Sequence, residues 1–249
     1  MTATDWHIID DLLLAAYKHE ASDLLVRADD RVRMRIHGTI MTISPDKVPP
    51  QSGDQVLEMV RHLTRNFSDK VPDLARVQNL DFHYSLEDIA HYRVHVMRSN
   101  NNLGIVARVL PRKIPDFGEL RLPPVIREIA SYRNGLILMA GATGSGKSTT
   151  LAAMTDYIIS NKPVHIVTIE DPIEYCYAMH KKGTVSQREL GRDVGDYAQG
   201  LNDAMRETPD IIVVGEARDR QVIQAALQAA ETGHLVMATV HATTAIGTM

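Results

Sequence analysis

The hydrophobic pattern of the first 110 residues changes period several times, which predicts a small domain of mixed helices and strands. Apolar residues at helical spacing run from Ile8 to Ala16, and we expect this helix to be entered through Asp5. A second helix is predicted over residues 55–66. Short or alternating apolar runs predict strands at 24–27, 32–36, 80–85, 91–97 and 104–110. The order α-β-β-α-β-β-β indicates a compact α+β domain over residues 1–110.

A proline-rich stretch then separates two kinds of pattern. Pro111, Pro115, Pro123 and Pro124 restrict their own backbone and that of the residues before them, so we predict a linker over 111–124. From residue 125, short apolar runs alternate with helical stretches. The predicted strands are 136–140, 165–169, 211–214 and 235–240, and the predicted helices are 147–160, 196–207 and 220–231. Such alternation predicts a largely parallel sheet covered by helices, hence an α/β domain over 125–249.

Charge and composition narrow the class of protein. The chain has 27 Lys+Arg against 31 Asp+Glu, a net charge of −4, so no strong positive field favours nucleic acid. No apolar run approaches the ~20 residues of a membrane span, and no signal pattern is evident at the N-terminus. We therefore expect a cytoplasmic protein without a span. The single cysteine, Cys176, cannot form an internal disulfide or a cysteine-based zinc site.

A glycine-rich loop between a predicted strand and a predicted helix carries the strongest chemical signal. The pattern G-x-x-x-x-G-K-S is formed by Gly141, Ala142, Thr143, Gly144, Ser145, Gly146, Lys147 and Ser148, with Thr149 following. Glycines let the backbone wrap around phosphate oxygens, and the start of the helix supplies N–H donors. Lys147 is expected to reach the β- and γ-phosphates, and Ser148 to help hold Mg²⁺. The alternative, a strand-to-helix turn that binds nothing, leaves the Lys-Ser pair without a purpose.

Two further strand ends offer the carboxylates that hydrolysis needs. Glu170, Asp171 and Glu174 follow one predicted strand and are expected to cluster near a loop tip, although a solvated acidic loop is the plainer interpretation. Glu216 follows Gly215 after the run 211–214, which has the form of a Walker B element with the acid one position late. An exposed strand end is the alternative for Glu216.

Histidines flank the last predicted strand. His234 precedes it and His241 follows it, and a histidine beside a Walker B element could sense the γ-phosphate. A structural role is the alternative for each. His91 and His95 flank Arg93 at period two, which indicates one polar strand face, and without a carboxylate or cysteine partner they make a weak metal signal.

Several sequence blocks together resemble the secretion ATPase superfamily, and in particular the PilT family of type IV pilus retraction ATPases. The blocks are Ala21-Ser22-Asp23-Leu24, GATGSGKSTTLAAM from Gly141, TIEDPIEY from Thr168, VGEARD from Val214 and AETGHLVMATVHA from Ala230. They occur in the expected order over almost the entire chain. The resemblance implies a PAS-like N-terminal domain followed by a RecA-like P-loop ATPase domain, with ATP and Mg²⁺ as cofactors.

The resemblance also implies site roles and partners. Glu174 corresponds to the catalytic glutamate of the Asp box, Glu216 to the Walker B glutamate that helps hold Mg²⁺, and His234 and His241 to the His box. Arg93 and Arg108 match two N-terminal arginines that face the ATP phosphates. The family works as a homohexameric ring in the cytoplasm, against a pilus platform protein of the inner membrane, and drives retraction. Glu170 stays open as an alternative base.

Alternatives within and beyond the family remain. The resemblance also covers pilus-extension motors, type II and type IV secretion ATPases, and a non-hydrolysing accessory paralogue, while a nucleic-acid translocase is disfavoured by the acidic balance. Relatives continue past the position of Met249, so we expect a C-terminally truncated chain with an incomplete ATPase domain. Such a chain is expected to bind nucleotide yet to assemble or work poorly, because apolar faces would lack their cover.

Overall fold

The computed structural model describes residues 7–71, 73–87, 89–178 and 181–241. The chain divides into two compact units, Met1–Arg112 and Lys113–Met249. Within the described ranges, no helix combines the length and the apolar character that crossing a bilayer requires.

The described residues of the first unit form two α-helices and one antiparallel sheet. Its elements are α1 Ile8–Lys18, β1 Ala21–Arg27, β2 Arg33–Ile36, β3 Thr39–Thr42, α2 Gly53–Thr64, a 3-10 turn Arg65–Phe67, β4 Asn79–Leu86, β5 Ala90–Ser99 and β6 Asn102–Val109. The strand order is β3-β2-β1-β6-β5-β4, and every neighbouring pair is antiparallel. Both helices and all five strands predicted for this region are confirmed. Strand β3 was not predicted.

Helix α1 begins at Ile8, where the apolar pattern begins, but its cap differs from the one expected. Its N-cap is His7, whose Nδ1 accepts from the backbone N–H of Ile9 at 3.2 Å. The carboxylate of Asp10 in turn accepts from the backbone N–H of His7 at 3.1 Å. This reciprocal pair satisfies two N–H groups that the first helical turn leaves unpaired. The N-cap of α1 is therefore His7 and not Asp5, so the prediction that the helix is entered through Asp5 is wrong. Asp5 itself lies outside the described residues.

Alternation along β5 determines which face of the first sheet is buried. Tyr92, Val94 and Val96 are fully buried, whereas Arg93 and His95 between them lie on the other face. Helices α1 and α2 pack on the buried face, and the hydroxyl of Tyr92 donates to the carbonyl of Leu13 in α1 at 2.9 Å. Burial of each large apolar side chain contributes roughly 1.5–3 kcal/mol, so a one-residue slip of this strand would be costly.

The second unit is a parallel sheet between two layers of helices. Its elements are α3 Val125–Ile129, β7 Gly135–Ala140, α4 Lys147–Asn161, β8 His165–Glu170, β9 Thr184–Glu189, α5 Tyr197–Ala204, β10 Ile211–Val214, α6 Arg220–Glu231 and β11 Leu235–Val240. The strand order is β7-β11-β10-β8-β9, and every neighbouring pair is parallel. The predicted parallel sheet, its four predicted strands and its three predicted helices are confirmed, although α5 ends at Ala204. Strand β9 and the short α3 were not predicted.

Strand β10 shows why this sheet is covered on both faces. All four of its residues are buried. Ile212 and Val214 pack with α5 and α6, whereas Ile211 and Val213 pack with α4 on the opposite face. A strand buried on both sides reads as a continuous apolar run, which is why the pattern predicted it closely.

The proline-rich stretch, for which a linker over 111–124 is predicted, lies mostly in the second unit. The division between the units falls after Arg112. Phe117 is 9% exposed and belongs to the same core cluster as Met154 of α4, and its ring centroid lies 4.9 Å from that of Tyr157. An aromatic side chain buried against α4 ties this stretch to the second unit.

Candidate functional site

The site residues of the second unit meet because four neighbouring strands end at the same edge of the sheet. In spatial order, β7 leads into the glycine-rich loop, β11 into His241, β10 into Gly215 and Glu216, and β8 ends at Glu170. Open α/β sheets bind ligands outside the carboxyl ends of their parallel strands. Strand order therefore places the acids at the same end of the sheet as the loop, although they are distant in sequence.

The glycine-rich loop has backbone conformations that side chains would oppose. Gly144 and Gly146 have φ angles of +78° and +91°, in the left-handed region that favours glycine. A Cβ at Gly141 would lie 2.7 Å from Oγ of Ser145, so a side chain there would displace the Ser145 hydroxyl. Gly146 is the N-cap of α4 and supplies no side-chain cap, which leaves the first N–H groups of this helix for a ligand.

Lys147 turns its side chain back over this loop. Its Nζ donates to the carbonyl of Gly141 at 2.9 Å and to that of Ala142 at 3.0 Å. Ser148 is exposed in the first turn of α4, and Ala142, Thr143 and Ser145 are exposed in the loop. The ammonium, the hydroxyl and the helix N-terminus thus lie around the same loop, a donor set suited to phosphate oxygens.

Thr149 connects the first turn of α4 to the acidic loop after β8. Its Oγ1 lies 3.1 Å from the hydroxyl oxygen of Tyr175, the residue that follows Glu174. Glu174 is half-buried, and its backbone N–H hydrogen-bonds the carboxyl group of Glu170. The predicted proximity of Glu170 and Glu174 is therefore present in the structure.

Glu170 is held by neighbours rather than presented to solvent. Its Oε1 accepts from Oγ1 of Thr168 at 2.6 Å and from Nε2 of Gln187 at 3.0 Å. Burial raises the pKa of the Glu170 carboxyl, and these hydrogen bonds together with the Glu174 N–H only partly oppose that rise. Glu170 thus anchors the start of the acidic loop.

Glu216 lies between two basic side chains. Its Oε2 accepts from Nε of Arg218 at 2.7 Å, and its Oε1 lies 3.1 Å from Nε2 of His241. Arg218 also places Nη1 3.6 Å from Oδ2 of Asp171, so one guanidinium joins the loops after β10 and β8. The hydrogen bond to Glu216 raises the pKa of Arg218 further above its usual range.

Gly215 explains why the acid comes one position after the apolar run. Its N–H donates to the carbonyl of Ile169 at 2.8 Å. A Cβ there would lie 3.2 Å from that carbonyl oxygen and 3.3 Å from Cα of Glu170. A side chain at this position would therefore push the ends of β8 and β10 apart by a few tenths of an ångström, and Glu216 follows directly.

His234 and His241 lie at opposite ends of strand β11. His234 precedes β11, and its Nδ1 lies 3.0 Å from the carbonyl of Ala229 and 3.2 Å from Oγ1 of Thr232. A six-residue strand separates the two histidines, which at about 3.3 Å per residue is roughly 20 Å. The structure brings His241 to the glycine-rich loop's edge of the sheet and does not bring His234 there.

Arg93 and Arg108 lie in the first unit, opposite each other across β5 and β6. Nε of Arg108 lies 3.1 Å from Oδ1 of Asp23, and Nε of Arg93 lies 3.9 Å from Oδ1 of Asp81. The side chain of Arg108 is 64% exposed and that of Arg93 is 38% exposed. The two arginines are therefore cross-strand neighbours on the polar face of the first sheet, each beside a carboxylate.

Three further residues near the carboxyl ends of the strands in the second unit were not anticipated from sequence: Tyr175, Gln187 and Arg218. Arg218 follows Glu216 by two positions, and a basic residue so close to a Walker B acid was an available signal. Gln187 lies on β9, a polar strand without apolar periodicity, and its contact with Glu170 depends on strand pairing. No pattern in the sequence indicates that contact.

Three features define this chain as a P-loop protein of the nucleotide-binding class. They are a parallel sheet between helices, a G-x-x-x-x-G-K-S loop that joins a strand to a helix, and acids at the ends of the neighbouring strands. Known proteins agree with this class. Residues 4–249 match the family described as type II/IV secretion system protein. The type IV pilus retraction ATPase PilT of Pseudomonas aeruginosa is 40% identical over 241 residues, which cover 97% of this chain and 68% of the relative.

Two further comparisons agree. A twitching motility protein of Neisseria gonorrhoeae is 41% identical over 218 residues, covering 87% of this chain and 56% of that protein. A crystal structure of the pilus retraction motor PilT with bound ADP matches with a TM-score of 0.85 at 39% identity, covering 98% of this chain and 69% of that one. The chain belongs to the type II/IV secretion ATPase family and, within it, to the PilT family, as the sequence resemblance indicates.

Proposed function

We propose that this protein is an ATP-hydrolysing motor of the type IV pilus machinery that drives pilus retraction. The observation that carries the proposal is the convergence of the glycine-rich loop, Glu216 and the Glu174 loop on one sheet edge, in a chain 40% identical to a pilus retraction ATPase. The first unit then serves as the PAS-like domain and the second as the RecA-like ATPase domain. The working form is a homohexameric ring in the cytoplasm, acting against a platform protein of the inner membrane.

The glycine-rich loop and α4 are suited to hold the ATP phosphates. Gly144 and Gly146 adopt left-handed backbone conformations in the loop, and the start of α4 has no side-chain cap, so its first N–H groups can donate to phosphate oxygens. Lys147 already lies against the loop carbonyls, so its ammonium can neutralise phosphate charge with a small side-chain movement. Mg²⁺, when bound, supplies further charge neutralisation on the phosphates. Ser148 and Glu216 are the residues that would hold it, Glu216 partly through water.

Glu174 is the base that we assign, because Glu170 is committed to other contacts. The Glu170 carboxyl accepts from Thr168, from Gln187 and from the N–H of Glu174 itself. A group that holds the loop in this way is poorly placed to move towards an attacking water. Glu174 follows on the same loop, is half-buried, and corresponds to the catalytic glutamate that the family resemblance implies.

Two arginines and two histidines are the basic residues of the proposed site. Arg93 and Arg108 neutralise charge that develops on the γ-phosphoryl oxygens, a role that the family resemblance supports. His241 contacts Glu216 and can report the state of the phosphate site to the end of β11. His234 lies at the other end of β11, so any role that it has in catalysis would be exerted at a distance from the glycine-rich loop of the same chain.

Phosphate release by the purified protein tests this proposal. Glu174→Gln is expected to lower kcat by about 10²–10⁴-fold while nucleotide binding is retained, because general-base catalysis contributes that much. Lys147→Ala is the binding-deficient control. If Glu174→Gln hydrolyses ATP as fast as the parent while Glu170→Gln does not, the assigned base is wrong and Glu170 takes its place.

The biological role is tested separately in cells. Expression in a strain that cannot retract its pili is expected to restore twitching. ATP turnover without such restoration would favour an extension or secretion motor, and neither turnover nor restoration would favour an accessory paralogue.

A further inference from the structure

The side-chain amide of Gln187 lies where three segments of the second unit meet. From β9, its Nε2 donates to Oε1 of Glu170 at 3.0 Å and to the carbonyl of Tyr175 at 2.8 Å. Its Oε1 makes a longer contact, 3.5 Å, with the backbone N–H of Tyr177. Both hydrogens of the amide are therefore used on the acidic loop, on either side of Glu174.

A second contact holds the same loop from the opposite direction. The hydroxyl of Tyr175 lies 3.1 Å from Oγ1 of Thr149, in the first turn of the helix that follows the glycine-rich loop. Tyr175 is thus tied through its main chain to β9 and through its side chain to α4. Glu174, directly before it, is carried by a segment with an anchor at each end.

We propose that Gln187 is a positioning residue for Glu174. Together with the Tyr175–Thr149 contact, it fixes the loop that carries the base at a set distance from the phosphate loop. The inference rests on the proposed function, since it concerns the same site. A displacement of about 1 Å in a reacting group can cost about 10²-fold in rate, so loss of this anchor should affect the chemical step more than nucleotide binding.

Gln187→Met is the principal test, because methionine keeps the length of the side chain and removes the amide. We expect kcat to fall about 10-fold or more, with KM and the dissociation constant for ADP unchanged within about 2-fold, since the phosphate loop itself is untouched. Without nucleotide, backbone amides of residues 173–177 are expected to exchange hydrogen faster than in the parent. Tyr175→Phe removes the second anchor and should give a smaller change in the same direction.

Ser186→Ala is the matched control on the same strand. It removes the hydrogen bond between Oγ of Ser186 and Nε2 of His165, 2.9 Å long, without touching the acidic loop. A merely structural effect of altering β9 would change both variants alike. We expect Ser186→Ala to keep the parental kcat and the parental exchange at residues 173–177.

The outcomes separate this inference from the function on which it rests. Parental kcat and parental exchange in Gln187→Met would overturn the positioning role while leaving the ATPase assignment intact. A rise in KM at constant kcat would also overturn it. If the parent does not hydrolyse ATP, the proposed function fails, and the exchange measurement still decides whether Gln187 holds the loop. If Gln187→Met does not fold, Tyr175→Phe decides: a parental kcat in that variant contradicts the proposal.

Discussion

A buried carboxylate in the first unit makes the hydroxyl of Tyr84 a sensitive point for stability. Asp10 in α1 is 2% exposed. Its Oδ1 accepts from the Tyr84 hydroxyl at 2.6 Å, and its Oδ2 lies 2.7 Å from Nε2 of His62 and 3.1 Å from the backbone nitrogen of His7. Burial and the Asp10 contact raise the pKa of Tyr84 to about 12, so the hydroxyl remains a donor at neutral pH. The replacement Tyr84→Phe removes that donor, together with a longer contact of 3.3 Å in which the hydroxyl accepts from Nη1 of Arg65.

The expected cost follows from the charge and burial of Asp10. A hydrogen bond to a charged group is worth about 1.5–3 kcal/mol, and a buried acceptor that loses its donor loses the full amount. With a urea m-value of roughly 2 kcal/mol/M for a unit of this size, the unfolding midpoint of the first unit should fall by about 1 M. Because the raised pKa of folded Tyr84 lies above the usual 10, this contribution is present below pH 10 and is lost as the pH rises towards 12.

Hydrogen exchange of first-unit peptides at increasing urea concentration measures this change without interference from the second unit. Tyr17→Phe is the control, since the Tyr17 hydroxyl accepts only a long, exposed contact of 3.5 Å from Arg112 and should cost less than ~0.5 kcal/mol. Equal shifts in the two variants would refute the view that Asp10 depends on Tyr84.

Two further perturbations are predicted. Burial lowers the pKa of His62, because its effect outweighs the attraction of Asp10. Near the ordinary histidine pKa of about 6.5, the unfolded chain therefore binds more protons than the folded one. The stability of the first unit should consequently fall as the pH drops through about 6.5. His62→Gln should flatten this dependence, measured as urea midpoints between pH 5 and 8, and an unchanged slope would contradict the assignment. Gly146→Ala forces a left-handed conformation on a side chain, which should destabilise the second unit by about 1–2 kcal/mol and weaken ADP binding. Gly195→Ala, at an ordinary φ, serves as its calorimetric control; equal losses in both would argue against the strain.

Most of the fold was predictable because apolar runs and their burial coincide. Residues 211–214 form β10 with both faces covered, and residues 235–240 form β11 with all six residues buried. Two strands escaped prediction for the converse reason. Strand β9 is largely half-buried and polar, and β3 is exposed along its whole length, so neither carries a periodic apolar signal. Both lie at sheet edges, where pairing with a neighbour rather than burial determines the strand.

The sequence suffices to identify the glycine-rich loop, because closely spaced glycines, Lys147 and the helix start act over a few residues through local backbone preferences. It also indicated which acids lie at strand ends. Which of these groups meet depends on long-range packing. The folded chain places His241 against Glu216 and His234 at the other end of β11, and the Glu170 carboxyl accepts from Gln187, on a strand that the apolar pattern did not reveal. Strand order and register are set by packing between distant segments, so the partners of each site residue follow from burial across the whole sheet and not from sequence spacing.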